Sequence, residues 1–316
     1  MSHRTMKTFA AALLTGGLLL TAPTAAGAVD LGPLGALTGS LDSGSLDTGS
    51  LGPSTPPNPD ATPRLASVAN FRDVAGNDGD GYATTDGHHL ERGVFYRSNG
   101  LDKTSDADLQ TLASLGVADV YDLRGDSEIS NPMVGGTDKI PAGAVYKHLP
   151  IEFGDLTALA QTIHSPEEGR EFLRDANRSF VTDAAKRATF GQLLTSIANE
   201  DGAQLFHCSS GKDRTGWTAM LLQTIAGVPQ QTIFDDYLLS NSYLEQSNQK
   251  TLTMIGLALG QQAATNLAPV LGVETSFLQA GLDQITADYG TVDKYLSEGL
   301  GLDSATIAKL KGKLVA

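Results

Sequence analysis

One short run holds the residue types that nucleophilic chemistry on an anion requires: His207-Cys208-Ser209-Ser210-Gly211-Lys212-Asp213-Arg214-Thr215-Gly216. Five residues separate Cys208 from Arg214. A loop of that length can curl so that successive backbone N–H groups point inward and form a nest for an anion. Gly211 relaxes the backbone restrictions within the curl. The planar fork of Arg214 can take two phosphoryl oxygens at once, which a lysine cannot do. Ser209, Ser210, Gly211, Lys212, Thr215 and Gly216 complete the candidate anion site. A thiol beside cations and a helix N-terminus is more acidic than a free one, so Cys208 reads as a thiolate nucleophile. The Thr215 hydroxyl is placed to hydrogen-bond its sulfur, and His207 to orient the loop. Cys208 is the only cysteine in 316 residues. By count alone it reads equally as a small buried hydrophobe; its neighbours favour chemistry.

These residues need a strand before them and a helix after them. Ala203–His207 reads as a short buried strand, and 216–226 as a helix stopped by Gly227 and Pro229. Upstream, 104–115 reads as a helix with Thr104 as its cap. Residues 117–123 read as a strand. A second helix spans 183–199, with Phe190, Leu193, Leu194 and Ile197 at helical spacing. Alternation of this kind predicts an α/β fold with a central, mostly parallel sheet flanked by helices. Residues 251–273 contain no charged side chain. Gly256, Gly260, Gln261, Gln262, Asn266 and Pro269 argue against a membrane span there and for a pair of apolar helices.

The ends of the chain differ in kind. Arg4 and Lys7, the apolar run 8–22 and Ala26-Gly27-Ala28 have the order of a secretory signal peptide over 1–28. Residues 29–63 repeat a Gly-Ser-Leu-Asp-Ser-like unit and then carry Pro53, Pro56, Pro57, Pro59 and Pro63, which predicts a disordered linker. One globular domain, 64–316, follows. The expected location is therefore outside the cytoplasm. The net charge of −14 argues against nucleic-acid binding, which rests on basic patches.

His-Cys, five residues, then Arg-Thr-Gly resembles the signature of the protein tyrosine phosphatase superfamily. The form His207-Cys208-Ser-Ser-Gly-Lys212-Asp213-Arg214 is similar to that of its secreted bacterial members that act on tyrosine and lipid phosphates. Asn70-Phe71-Arg72-Asp73, Tyr96-Arg97-Ser98, Asp122-Leu123-Arg124 and Tyr237-Leu238-Leu239-Ser240-Asn241 fit further stretches of that group. Val74-Ala75-Gly76 departs from it, where a second glycine is usual. The resemblance implies a cysteine-dependent phosphatase without metal or cofactor. It implies a phosphorylated protein or phosphoinositide as substrate partner, with Lys212 meeting an extra phosphate. It further implies a helical lid over the site, which suits 251–273, and Asp213 as general acid.

Asp122, at the end of a neighbouring strand, is the rival acid or substrate contact. A structural role for Asp213 is the other alternative. Arg72 and Asp73 are suited to a buried ion pair under the loop, and Arg97 and Arg124 to either burial or substrate contact. His88 and His89 face apart on a strand and make a poor metal pair. His148 and His164 lack partners at ligand spacing, and Trp217 reads as packing. A sulfurtransferase also places a cysteine on a strand–loop–helix turn, and a non-catalytic phosphoprotein-binding module shares such folds. The Arg-Thr-Gly ending and the retention of both Cys208 and Arg214 speak for hydrolysis.

Overall fold

A computed structural model describes residues 62–77, 79–130, 135–153, 159 and 161–315. The expected signal peptide and all but the last two residues of the expected linker lie outside these residues. Among the described residues, the elements in chain order are β1 (Arg72–Asp73), β2 (Phe95–Ser98), α1 (Asp106–Ser114), β3 (Val117–Asp122), α2 (Asp126–Ser130), β4 (Val145–His148), α3 (Pro166–Thr182) and α4 (Ala184–Asn199). There follow β5 (Ala203–His207), α5 (Arg214–Ala226), α6 (Gln230–Leu259), α7 (Gln261–Leu271), α8 (Thr275–Tyr289), α9 (Val292–Lys294), a π-turn (Tyr295–Gly299) and α10 (Ser304–Leu314).

The sheet order is β1-β2-β5-β3-β4. β1 pairs antiparallel with β2, and the other three pairings are parallel. The expected α/β fold with a mostly parallel sheet is therefore observed. β5 lies at the centre, buried along its whole length as Ala203-Gln204-Leu205-Phe206-His207. Parallel strands covered on both faces need such continuous burial. The centre of the sheet thus aims its C-terminal end, and Cys208 after it, at the N-terminus of α5.

α5 is buried on nearly every side, as a helix apolar all round must be. Trp217 on its first turn packs against Phe180 of α3 (centroids 5.6 Å) and Tyr295 of the π-turn (6.1 Å). It is a packing residue, as its position suggested. α8 approaches so closely that a Cβ on Gly281 would lie 2.4 Å from Trp217 Cζ3, so only glycine serves there.

Three boundaries differ from the sequence expectation. Ser105, not Thr104, caps α1 by accepting from Asp108 N–H; Thr104 is buried. Asp183 is the cap of α4, accepting from Ala185 and Lys186 N–H. α5 starts two residues early, at Arg214, because the loop turns directly into the helix. The uncharged segment 251–273 is a helix pair broken at Gly260 (φ +95°). Pro269 does not break α7; it sits in the last turn. Ile255, Ala264, Leu267, Val270 and Leu271 form an apolar cluster of their own with Leu159 and Ile163, apart from the main core. No helix among the described residues is long and apolar enough to cross a membrane.

Candidate active site

The loop between β5 and α5 is held from outside by its carbonyls. Ser209 O accepts from Gly100 N–H (3.2 Å), Ser210 O from Asn70 Nδ2 (2.9 Å), and Gly211 O from Arg97 Nη2 (3.0 Å). Three successive carbonyls bonded outward leave the loop N–H groups to face an anion within it. Gly211 has φ +71°, and a Cβ there would lie 2.3 Å from Ser98 O. The curl therefore requires glycine.

Arg97 is positioned by Asp236, which stands between two buried arginines. Its carboxylate takes Arg72 Nε at 3.1 Å and Arg97 Nη1 at 2.8 Å. Burial and the neighbouring Arg72 pull Arg97 down to about 10, against the pull of Asp236 and Cys208. This corrects the expected Arg72–Asp73 pair. Arg72 pairs with Asp236 across the chain, whereas Asp73 accepts from Ala75 and Gly93 N–H. Burial pushes Asp73 up to about 6, against these two N–H groups and the charge of Arg92. Both arginines brace the loop rather than meet substrate.

Cys208 is buried, at 2 % exposure. Burial pushes its thiol up, but the Arg214 charge and the Thr215 hydroxyl and N–H outweigh that, and the thiol lies below its ordinary value. The Thr215 side chain is buried.

Arg214 does not wait across an open mouth. Its Nη1 and Nη2 grip both oxygens of Glu128, at 2.6 and 2.8 Å. Nη1 also donates to Leu123 O and Ile151 O (3.1 and 3.0 Å), and the guanidinium lies 5.0 Å over the Phe153 ring. Among the described residues, its Nε alone has no partner. Glu128 further accepts from Ser209 Oγ and Gly125 N–H. Burial favours its neutral form, but Arg214 outweighs it and holds the carboxyl below its usual range. Glu128 is the residue that sequence reasoning missed. It lies on the five-residue helix α2 with no motif around it, and only the fold brings it 86 residues back to the loop.

The two candidate acids sit in different fields. Asp213, 7 % exposed, pairs inside the loop with Lys212 Nζ (2.8 and 3.0 Å). Asp122 is fully buried. It accepts from Arg124 Nε and Nη2 (2.9 and 2.7 Å) and from Tyr146 Oη (3.0 Å). Burial opposes its charge, but His207 and Arg124 outweigh that and hold Asp122 well below the carboxylate range. A group held ionised so firmly makes a poor proton donor, and its oxygens are already taken. Asp122 therefore stands behind the loop rather than at the substrate.

Behind His207 lies a second carboxylate that the sequence did not single out. Asp138 Oδ1 is 2.8 Å from Arg124 Nη2 and accepts from Leu101 N–H (2.8 Å); its Oδ2 is 3.0 Å from His207 Nε2. Asp122, Asp138 and His207 are close enough to hold an ion, within 4.8 Å of one another. The Arg124 guanidinium already takes both carboxylates, so the charge an ion would supply is present. His88, His89 and His164 are exposed, and His148 Nε2 bonds Arg124 O (2.8 Å).

A cavity of about 180 Å³ borders the loop, walled by Ser209, Ser210, Asn99, Lys103 and Arg124 on one side and by Leu244, Asn248 and Leu271 of the α6–α7 helices on the other. Cys208 is not on its wall.

Comparison with known proteins agrees with this geometry. The profile of the tyrosine phosphatase family matches residues 63–316. A Cupriavidus necator chain named as a tyrosine-protein phosphatase is 32 % identical over 255 residues, covering 79 % of this chain and 87 % of that one. The triple specificity protein phosphatase PtpB of Mycobacterium tuberculosis is 28 % identical over 289 residues, 81 % of this chain and 99 % of its own. A tyrosine-protein phosphatase of Nostoc commune is 31 % identical over 231 residues, 70 % and 74 % of the two chains.

Proposed function

The chain belongs to the tyrosine phosphatase family and is a protein-tyrosine phosphatase, and from that premise we propose that hydrolysis runs through a phosphorylated Cys208. The observation that carries the proposal is a single cysteine, acidified by Arg214 and Thr215, at the join of β5 and α5. The Cys208 thiolate attacks phosphorus in line with the ester oxygen; the S–P bond forms and the P–O bond breaks. Equatorial charge falls on the loop N–H groups and on Arg214, whose Nε has no partner among the described residues. Asp213 gives its proton to the departing oxygen. Water then attacks phosphorus and returns a proton to Asp213. The S–P bond breaks, inorganic phosphate leaves and the thiolate is restored.

Lys212 pairs with Asp213 in the free site. A phosphate dianion entering the loop draws Lys212 to itself and releases the Asp213 carboxyl toward the leaving oxygen. Lys212 has two tasks in this account, and a second phosphate on the substrate is a further group that it can meet. Phosphoinositides are therefore proposed beside phosphotyrosine, phosphoserine and phosphothreonine substrates. The name of the mycobacterial relative, a triple specificity phosphatase, supports this breadth. The 1–28 pattern supports export, which sequencing the N-terminus of the released protein tests.

The test of the mechanism is Cys208→Ser. Turnover should fall to background while inorganic phosphate still binds, because the cradle is mostly backbone. Acid quench of wild-type enzyme with ³²P-labelled phosphopeptide should leave label on Cys208. Steady hydrolysis by the Ser variant, or an unlabelled wild-type chain, overturns the covalent route.

A further inference from the structure

We infer that Tyr237 is a positioning residue for the general acid: its buried hydroxyl takes up the Asp213 carboxylate once Lys212 has left it for phosphate and the proton has passed to the departing oxygen. The inference rests on the reading of Asp213 as that acid. Tyr237 lies on α6, one residue after Asp236. The Asp236 side chain holds Arg72 and Arg97, and its carbonyl accepts from Arg72 as well, so this turn of α6 is fixed beneath the loop. A Cβ on Gly216 would lie 2.9 Å from Tyr237 Cε2 and 3.4 Å from Arg97 Nη2. Gly216 stands three residues after Asp213, the residue that opens α5, and residues three apart share one side of a helical turn. The bare Gly216 thus admits the Tyr237 ring to the side of the first turn that Asp213 begins.

Nothing in the free enzyme uses the hydroxyl. Tyr237 is 1 % exposed, and its Oη has no hydrogen-bond partner among the described residues. A buried tyrosine ordinarily finds one, and leaving it without costs stability; phenylalanine would fill the same space without that cost. The charges that reach the hydroxyl are Asp213, which favours the phenol, and Arg97, which opposes it. Burial and Asp213 prevail and hold the phenol well above its ordinary value, so it remains a donor. Asp213 is the matching acceptor. Its side chain does not cap α5, and in the free site both its oxygens are on Lys212 Nζ. The other cations nearby are committed: Arg214 to Glu128, and Arg97 to Asp236 and Gly211 O. Phosphate draws Lys212 away. The Asp213 O–H bond then breaks, the ester oxygen takes the proton, and a carboxylate is left with none of these cations to meet it. The Tyr237 hydroxyl donates to that carboxylate, and in the second step the same bond holds it toward the attacking water.

Tyr237→Phe separates this role from packing. It keeps the ring against Gly216 and removes one oxygen that bonds nothing in the free enzyme, so the melting temperature should hold or rise. The measurement is kcat/KM for phenyl phosphate relative to that for 2,4-dinitrophenyl phosphate. Phenolate needs a proton as it leaves and dinitrophenolate does not, so the ratio reads the acid step. The ratio should fall about tenfold in Tyr237→Phe, a part of the roughly 10²- to 10⁴-fold that a general acid supplies. Asp213→Asn should lower it further, and Tyr237→Phe added to Asp213→Asn should lower it no more. An unmoved ratio in folded Tyr237→Phe, or equal losses on both esters with a lower melting temperature, overturns the inference and leaves Tyr237 a packing residue. A chain that does not fold without the hydroxyl overturns it as well. An Asp213→Asn variant whose ratio stays at the wild-type value instead defeats the reading of Asp213 as the acid.

Discussion

Glu128→Gln is the perturbation that asks most of the structure. The Arg214–Glu128 pair is bidentate and buried, with side-chain exposures of 4 % and 7 %. Gln keeps the shape and can accept one of the two guanidinium bonds, but its amide faces the other nitrogen as donor against donor. With the amide facing Nη2, Arg214 then keeps that one bond and those to Leu123 O and Ile151 O, all on Nη1. Removing one partner of a buried pair costs about 3 to 5 kcal/mol, and the surviving bond argues for about 3. In a domain of this size that lowers the melting temperature by about 6 to 12 °C. An arginine anchored through one nitrogen can swing, and a displacement of about 1 Å at a catalytic group costs about 10²-fold in rate. An opposing effect exists. With Glu128 neutral, Arg214 acts more strongly on Cys208 and deepens the fall of the thiol. At a pH where the thiolate already predominates this adds little, so orientation wins. The expected result is kcat/KM for p-nitrophenyl phosphate reduced about 10²-fold, together with the lower melting temperature in the same sample. Unchanged or raised kcat/KM with tighter inhibition by inorganic phosphate would refute the reasoning. It would mean that the Glu128 carboxylate occupies the place of the phosphate rather than orienting the clamp.

Arg214→Lys should lose most activity although charge is kept, because an ammonium can reproduce neither the bidentate grip on Glu128 nor the fork toward phosphate; near-wild-type kcat/KM would remove Arg214 from the site. Activity should survive exhaustive dialysis against EDTA, since Arg124 already answers both carboxylates of the Asp122–Asp138–His207 group; loss on chelation and recovery with a divalent ion would show otherwise. Because the folded pKa of His207, about 9, exceeds its ordinary 6.5, its contribution to stability is complete below pH 6.5 and vanishes as pH rises through 9. Two and a half pKa steps amount to about 3 kcal/mol. Thermal melts of the wild type should fall across that window and those of His207→Gln should stay flat; parallel curves would contradict the buried imidazolium.

Much of this protein is determined locally. The spacing of Cys208 and Arg214, the glycine between them and the apolar strand before them specify an anion-binding turn through nearest-neighbour geometry alone. β5 and most of α4 follow from short-range patterning, because burial on one face or on both leaves a readable period. What the sequence could not determine is which charges meet. Arg72 and Asp73 are adjacent in the chain, yet consecutive residues of a strand point to opposite faces, and Arg72 reaches Asp236 instead. Asp122 stands at the end of a strand as acids of α/β sites do, but the fold surrounds it with Arg124 and His207 and removes it from chemistry. Glu128 and Asp138 lie in stretches without a motif and become central only when the sheet order β5-β3-β4 brings the segments after β3 beside the loop after β5. An ion pair depends on a few ångströms between side chains that are tens of residues apart, and no local period encodes that distance; only the packed tertiary structure does.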